Sequence, residues 1–421
     1  MVTLIGVTMT SCKERINLEK VDENGVVFQK KPIWKVPTSS DGINPANGVI
    51  GNIFIQNALL STFNENSASL ANHLCLQNTE TGECKWRWRD VIRPTEEIML
   101  HNYQGHEVYQ YQNLLLYQYG PRNYCINVET GTTVWKKTTG YSGVGLCYGL
   151  GAQYFTFGTP IELYKGIWEQ FIYRGDVLTG KEEKILMPNY SRKHVGLGIT
   201  PFHVGSINDV RPVVEGKDTL LLITYTELGS ERNEYEAYLS LYNLTQQKWL
   251  YDRKSLWGGR KVGVLNGAVR LRGDKMYTIT SNEVVCHNWR TGDRVWIKVL
   301  PSFAEIQGIF EDRYMVLYDS MSTLYCVDAD TGEQIWKLPN ETLSYTSSYY
   351  AGGILYYLSK GRLRARELKT TKLLWDIPSD TDGKLDGHFW VFVTGLPGKD
   401  GEKGRIFTRT GYHTYCFEAI K

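Results

Sequence analysis

One hairpin unit recurs along this chain, and that recurrence limits the possible folds more than any other feature. Its clearest copy is Tyr325 to Trp336. Tyr325, Cys326 and Val327 favour a strand, and Asp330-Thr331-Gly332 favours a tight turn with glycine where positive φ costs least. Gln334, Ile335 and Trp336 begin the return strand. Further copies run through Leu74-Cys75-Leu76 to Trp86, Tyr124-Cys125-Ile126 to Trp135, Tyr173 to Lys184, Leu241-Tyr242 to Trp249, Val285-Cys286-His287 to Trp296, and Leu363 to Trp375. Gly82, Gly131, Gly180, Gly292 and Gly332 supply the turn in five of them. The copy ending at Trp249 has Thr245-Gln246-Gln247 instead, and the copy ending at Trp375 has Thr371 in place of glycine. Steps of about 40 to 65 residues match a four-stranded propeller blade with variable loops.

The ends of the chain hold the missing halves of one more copy. His413 to Ala419 is a first half with no turn after it, and Lys31 to Val36, containing Trp34, is a second half with nothing before it. Pairing these halves closes the ring and removes an exposed sheet edge. The expected fold is an all-β, eight-bladed propeller over residues 31–421, or seven-bladed if 173–249 forms one blade. Composition agrees: 28 Tyr, 12 Trp and 41 Gly supply strand and turn formers, and no capped helical periodicity interrupts them. Two stretches exceed the repeat: Ser191 to Asp218, and the Gly-, Lys- and Asp-rich Leu396 to Arg405, which reads as a mobile surface loop.

Eight cysteines are present, with no C-x-x-C pair to suggest a zinc or redox site. Cys75, Cys125, Cys286, Cys326 and Cys416 read as equivalent positions in different blades, and so as small buried residues that do not form disulfides. Asp328 and Thr331 read as turn chemistry. Arg362, Arg364 and Arg366 alternate along a strand and read as a solvated face. The histidines are scattered; His101 and His106 are five apart, too little to argue a metal site. Tyr109, Tyr111, Tyr117 and Tyr119 read as packing residues, with a carbohydrate-stacking platform as the alternative. A net charge of +2 with no basic run gives no footing for nucleic acid.

Residues 1–11 are apolar and uncharged, too short to cross a bilayer but similar to the core of a signal peptide. The absent basic n-region places the expected start upstream of Met1. Met9-Thr10-Ser11-Cys12 resembles a bacterial lipobox, which implies lipidation of Cys12 and a polar tether over 12–30.

The repeat Tyr-Cys-x-Asp-x-x-Thr-Gly-x-x-x-Trp resembles the tryptophan-docking repeat of pyrroloquinoline quinone (PQQ)-type β-propellers. The resemblance implies that Trp34, Trp86, Trp135, Trp249, Trp296, Trp336 and Trp375 are structural, each packing on a neighbouring blade. Some members of that family are quinone dehydrogenases with a vicinal disulfide and a Ca²⁺ site, and this chain has no Cys-Cys pair. Others are cofactor-free, including the lipoprotein of the outer-membrane β-barrel assembly machinery. The chain looks more like the second kind. The expectation is therefore a non-enzymatic scaffold, lipid-anchored in the bacterial envelope at the outer membrane or cell surface, that binds other envelope proteins. No cofactor or metal site is expected, and no catalytic residue is assigned. The alternatives are a PQQ- or metal-dependent oxidoreductase and a glycan- or peptide-binding module using the central funnel.

Overall fold

The computed structural model describes residues 19–421, apart from several stretches of which the longest are 40–53, 66–71, 99–107, 161–169, 195–201, 229–234, 258–264, 342–347 and 381–386. Cys12 and Cys147 therefore lie outside the described residues, as do His101 and His106. The ring has eight four-stranded blades: blade 1 (54–88), blade 2 (108–138), blade 3 (141–186), blade 4 (205–255), blade 5 (265–299), blade 6 (304–338), blade 7 (349–377) and blade 8 (393–418 with 34–37). Strands within a blade are antiparallel and consecutive, as short turns require. In blade 3 the first strand is split into Tyr141–Gly143 and Tyr148–Leu150.

Blade 8 closes the ring. Trp34, Lys35, Val36 and Pro37 pair with Cys416, Tyr415, Thr414 and His413. Trp34 then donates its indole N–H to Thr79 O of blade 1, at 3.0 Å. The same contact runs around much of the ring. Trp86 donates to Val128 O, Trp135 to Val177 O, Trp296 to Ala329 O and Trp336 to Leu368 O, at 2.6 to 3.1 Å. Each acceptor lies three residues before the turn residue of the next blade. The glycine there leaves room for the ring: a Cβ on Gly131 would lie 2.7 Å from Trp86, and one on Gly332 2.8 Å from Trp296. Where glycine is missing, its conformation persists, with Gln247 at φ 54° and Thr371 at φ 63°.

Three local expectations need correction. The docking residue of blade 4 is Tyr251, not Trp249. Leu241, which stands six residues before Gln247 as Cys326 stands before Gly332, pairs with Tyr251. The Tyr251 hydroxyl donates to Trp289 O. Bulges on both sides of Leu241 shift Trp249 opposite Tyr242, whose ring it meets edge-on at 5.0 Å.

Cys75 is not equivalent to the other four cysteines. Cys125, Cys286, Cys326 and Cys416 each face a tryptophan across the ladder and are buried free thiols. In blade 1 that place belongs to Leu76, which faces Trp86, while Cys75 faces Arg87. A one-residue offset turns a strand side chain to the opposite face. On that face Cys75 forms a disulfide with Cys84 of the return strand, their Cα atoms 6.1 Å apart.

Part of the expected tether is docked. Lys20–Val21 and Val27–Gln29 form a hairpin that extends the outer edge of blade 7, with Val27 parallel to Trp375. The Lys30 ammonium lies 5.2 Å from the Trp375 ring centroid and 3.1 Å from Glu19. The second half of the long stretch after Ser191 is a strand: Gly205–Glu215 is the first strand of blade 4 and runs 11 residues. Leu396 and Arg405 end and begin adjacent strands of blade 8, and Ala419 N–H reaches Gly404 O across that turn.

Candidate functional site

The repeat-bearing groups are occupied with holding the ring together. In blade 6, Asp328 Oδ1 accepts from the N–H groups of Asp330 and Thr331, and Thr331 Oγ1 from Glu333 N–H, so both residues shape the turn. Arg313 beside it and these turn N–H groups hold the Asp328 carboxyl below its ordinary range against a raising effect of burial. Burial pushes the thiols of Cys125, Cys286, Cys326 and Cys416 up to about 12. These sulfurs are therefore protonated packing atoms, not nucleophiles.

Arg362, Arg364 and Arg366 are not a solvated face. Arg364 and Arg366 both bind the buried Glu341, and Arg364 Nε donates to Asp376 at 2.9 Å, next to Arg362. Residues 349–377 thus carry a partly buried ion network over Tyr357, whose hydroxyl accepts from Arg366 Nε at 2.7 Å. The four clustered tyrosines do not form one platform. Tyr117 is buried between blades 1 and 2, stacked on Tyr124 and edge-on to Trp88. Tyr109 instead covers Gly149 of blade 3 and donates to Gly151 O at 2.8 Å. Alternation along the strands sends them to opposite blade seams.

The histidines are likewise separate. His73 pairs with Glu65 at 3.4 Å, and burial leads the lowering of its pKa. His287 is fully buried in blade 5. Among the described residues no group of three or more His, Cys, Asp or Glu is placed to hold a metal ion. The side chains of His194 and His203 lie outside the described set, although their backbones pair in a short hairpin before blade 4.

Two features depart from the repeat or stand free of it. Blade 3 has Lys184 where other blades place a docking aromatic, and its bulge lies between Ile172 and Tyr173, closer to the strand start than in blades 2, 5 and 6. Lys184 therefore faces Tyr173 and rides 4.3 Å over the Phe171 ring. Beside it a cavity of about 270 Å³ is lined by Gly140, Tyr141, Pro160, Tyr173, Glu182 and Lys184. Tyr141 and Tyr173 stack with centroids 4.0 Å apart. Glu182 is satisfied from within, accepting from Asn123, Tyr141 and Tyr154 and pairing with Lys137.

The second feature is on the rim. Ile33, Val134, Leu250, Val295 and Ile335 each immediately precede a docking aromatic on the outermost strand. They are 39 to 49% exposed. Blades 4, 5 and 6 thus carry three of these apolar side chains in succession. Sequence reasoning missed them, although their one-residue offset from the docking aromatic is a signal that repeat alignment offers.

Comparison with known proteins agrees with this geometry. Residues 255–421, blades 5 to 8, match the family model described as outer membrane protein assembly factor BamB. No curated protein matches the chain. Among solved structures, BamB from Moraxella catarrhalis is similar over 93% of this chain and 98% of its own, with 10% identity and a TM-score of 0.53. A quinohemoprotein alcohol dehydrogenase from Comamonas testosteroni is similar over 92% of this chain and 76% of its own, at 10% identity and TM-score 0.58. A europium-containing methanol dehydrogenase covers 90% of this chain and 84% of its own, at 10% identity and TM-score 0.55. At such identities the shared property is the fold. The chain is an eight-bladed β-propeller, and its second half matches that family model.

Proposed function

We propose that this protein is a non-enzymatic scaffold of the bacterial cell envelope, anchored by lipid on Cys12, that binds other envelope proteins through its rim and blade loops. The observation that carries the reading is the exposed apolar side chain repeated on the outer strands of blades 4, 5 and 6, beside blades whose charged groups are engaged internally. Exposed apolar side chains repeated at equivalent places of neighbouring blades offer a partner protein a set of anchor points. The match of blades 5 to 8 to an outer-membrane assembly factor supports the same setting. A docked hairpin at residues 20–29 would hold the ring close to its anchor, since six residues separate Cys12 from Glu19, the first described position.

Crosslinking with mass spectrometry on native membranes tests the reading. The expected result is acylated Cys12 and reproducible crosslinks from blades 4 to 6 to envelope proteins. Leu250→Glu, Val295→Glu and Ile335→Glu together should lower partner recovery about tenfold with the ring still folded. Recovery of only unmodified soluble protein without partners overturns it.

A second reading, a PQQ- and Ca²⁺-dependent oxidoreductase, draws on the likeness of fold to quinoprotein dehydrogenases. The described residues do not assemble a His, Cys, Asp or Glu ligand group, so no step is derived through that cofactor. A spectral change on adding PQQ with Ca²⁺ would favour it. A glycan-binding funnel is the third reading, and reproducible hits on a glycan array would favour that one.

A further inference from the structure

The first strand of each blade faces the centre of the ring, because the fourth strand carries the rim. Neighbouring first strands of blades 3, 4 and 5 contact one another there. Three of them bring together Tyr148, Asp209, Arg211 and Arg270. Asp209 is 1% exposed, and its Oδ2 accepts from Arg211 Nε at 3.1 Å and from Val269 N–H at 2.8 Å. Arg211 also donates to the Tyr148 hydroxyl at 3.1 Å, its guanidinium carbon 4.6 Å from that ring centroid. Bulges between Ile207 and Asp209 and between Asn266 and Arg270 break the ladder at this point. Such breaks re-aim side chains.

Arg270 is the anomaly. It follows Val269, whose N–H is bound to Asp209, and it is partly exposed. Among the described residues it makes no hydrogen bond and no ion pair. Arg211 is thus engaged by Asp209 and Tyr148, while Arg270 feels the Asp209 carboxylate without bonding to it. Burial, then the charge of Arg211, hold Arg270 below its ordinary pKa. A desolvated cation without a partner is costly, and five guanidinium donors match a planar oxyanion.

We propose that the inner ends of blades 3 to 5 bind an oxyanion, a carboxylate or phosphate group, between the guanidiniums of Arg270 and Arg211. Tyr148 holds Arg211 in place, and Asp209 prevents the pair from acting as two free cations. The site is separate from the rim, so it stands or falls independently of the scaffold reading.

Thermal unfolding of the full chain tests it, in inorganic phosphate and in malonate, each against chloride at equal ionic strength. The expected result is a saturable rise of a few degrees in at least one of them, and which anion works identifies the source chemistry. Arg270→Gln should lose the rise and melt in chloride no lower than the natural chain; Arg270→Lys should keep a weakened rise. Absence of a rise with both anions overturns the proposal, as does an undiminished rise in Arg270→Gln. Destabilisation of Arg270→Gln in chloride also overturns it, because Arg270 would then be compensated inside the protein.

Discussion

Blade 6 and blade 3 are built on the same plan and differ at one seam. In blade 6, Cys326 faces Trp336 and the indole reaches Leu368 O of blade 7 at 2.8 Å. In blade 3 the equivalent residue is Lys184, the bulge is displaced, and a cavity of about 270 Å³ opens beside stacked Tyr141 and Tyr173. The ring tolerates this because each seam is a local contact. Blade 3 still receives Trp135 from blade 2, through Val177 O and over Gly180. Its other face packs Phe155, Phe157 and Ile172 against Ile207, Val210 and Tyr225 of blade 4. A propeller thus needs closure and packed seams, and can release a single docking position for other use.

The comparison is broken most severely by removing a docking aromatic where it is buried. Trp86 is 8% exposed and fills the seam over Gly131. Trp86→Ala should cost about 3–5 kcal/mol in denaturant unfolding. Lys184→Ala, at the equivalent place, should stay within about 0.5 kcal/mol. Equal losses would mean that Lys184 does the work of a docking residue.

A smaller effect separates buried from solvated polar groups. His287 occupies the place next to Cys286, where blade 6 has Val327. Burial, then the charge of Arg294, push its pKa down to about 4. The folded chain holds it neutral while the unfolded chain protonates near 6.5. Its stabilising contribution is therefore complete above about pH 6.5 and lost as pH falls toward 4, by up to about 3 kcal/mol. Unfolding midpoints measured across this window should fall with pH, and His287→Leu should flatten that slope.

The smallest effect concerns the turns. Thr371 holds φ 63° where blade 6 has Gly332 at φ 74°. A β-branched residue in that region is strained, so Thr371→Gly should stabilise by about 1 kcal/mol. Gly332→Ala should do the opposite, since its Cβ would meet Trp296 at 2.8 Å. A destabilised Thr371→Gly chain would show that the threonine side chain contributes more than its backbone costs.

Some of this was legible because it is local. The hairpin of Tyr325 to Trp336 encodes its own turn, and its spacing recurs. Trp34 and Cys416 were legible as halves of one blade because each lacked the other. Register was not legible. Bulges beside Leu241 moved the docking role from Trp249 to Tyr251, and a one-residue offset gave Cys75 a partner in Cys84. A bulge has no obligatory residue signature, so repeat alignment slides past it.

The sequence by itself determined the all-β repeat, the closure of the ring by its two ends, and the turn glycines under the docking aromatics, because neighbours along the chain encode hairpins. Only the tertiary structure decided which residues meet across blades. Tyr148, Asp209, Arg211 and Arg270 come from three blades, and only the packing of their first strands brings them together. The exposure of Leu250, Val295 and Ile335 was likewise decided by the structure, which places each on the last strand of its blade.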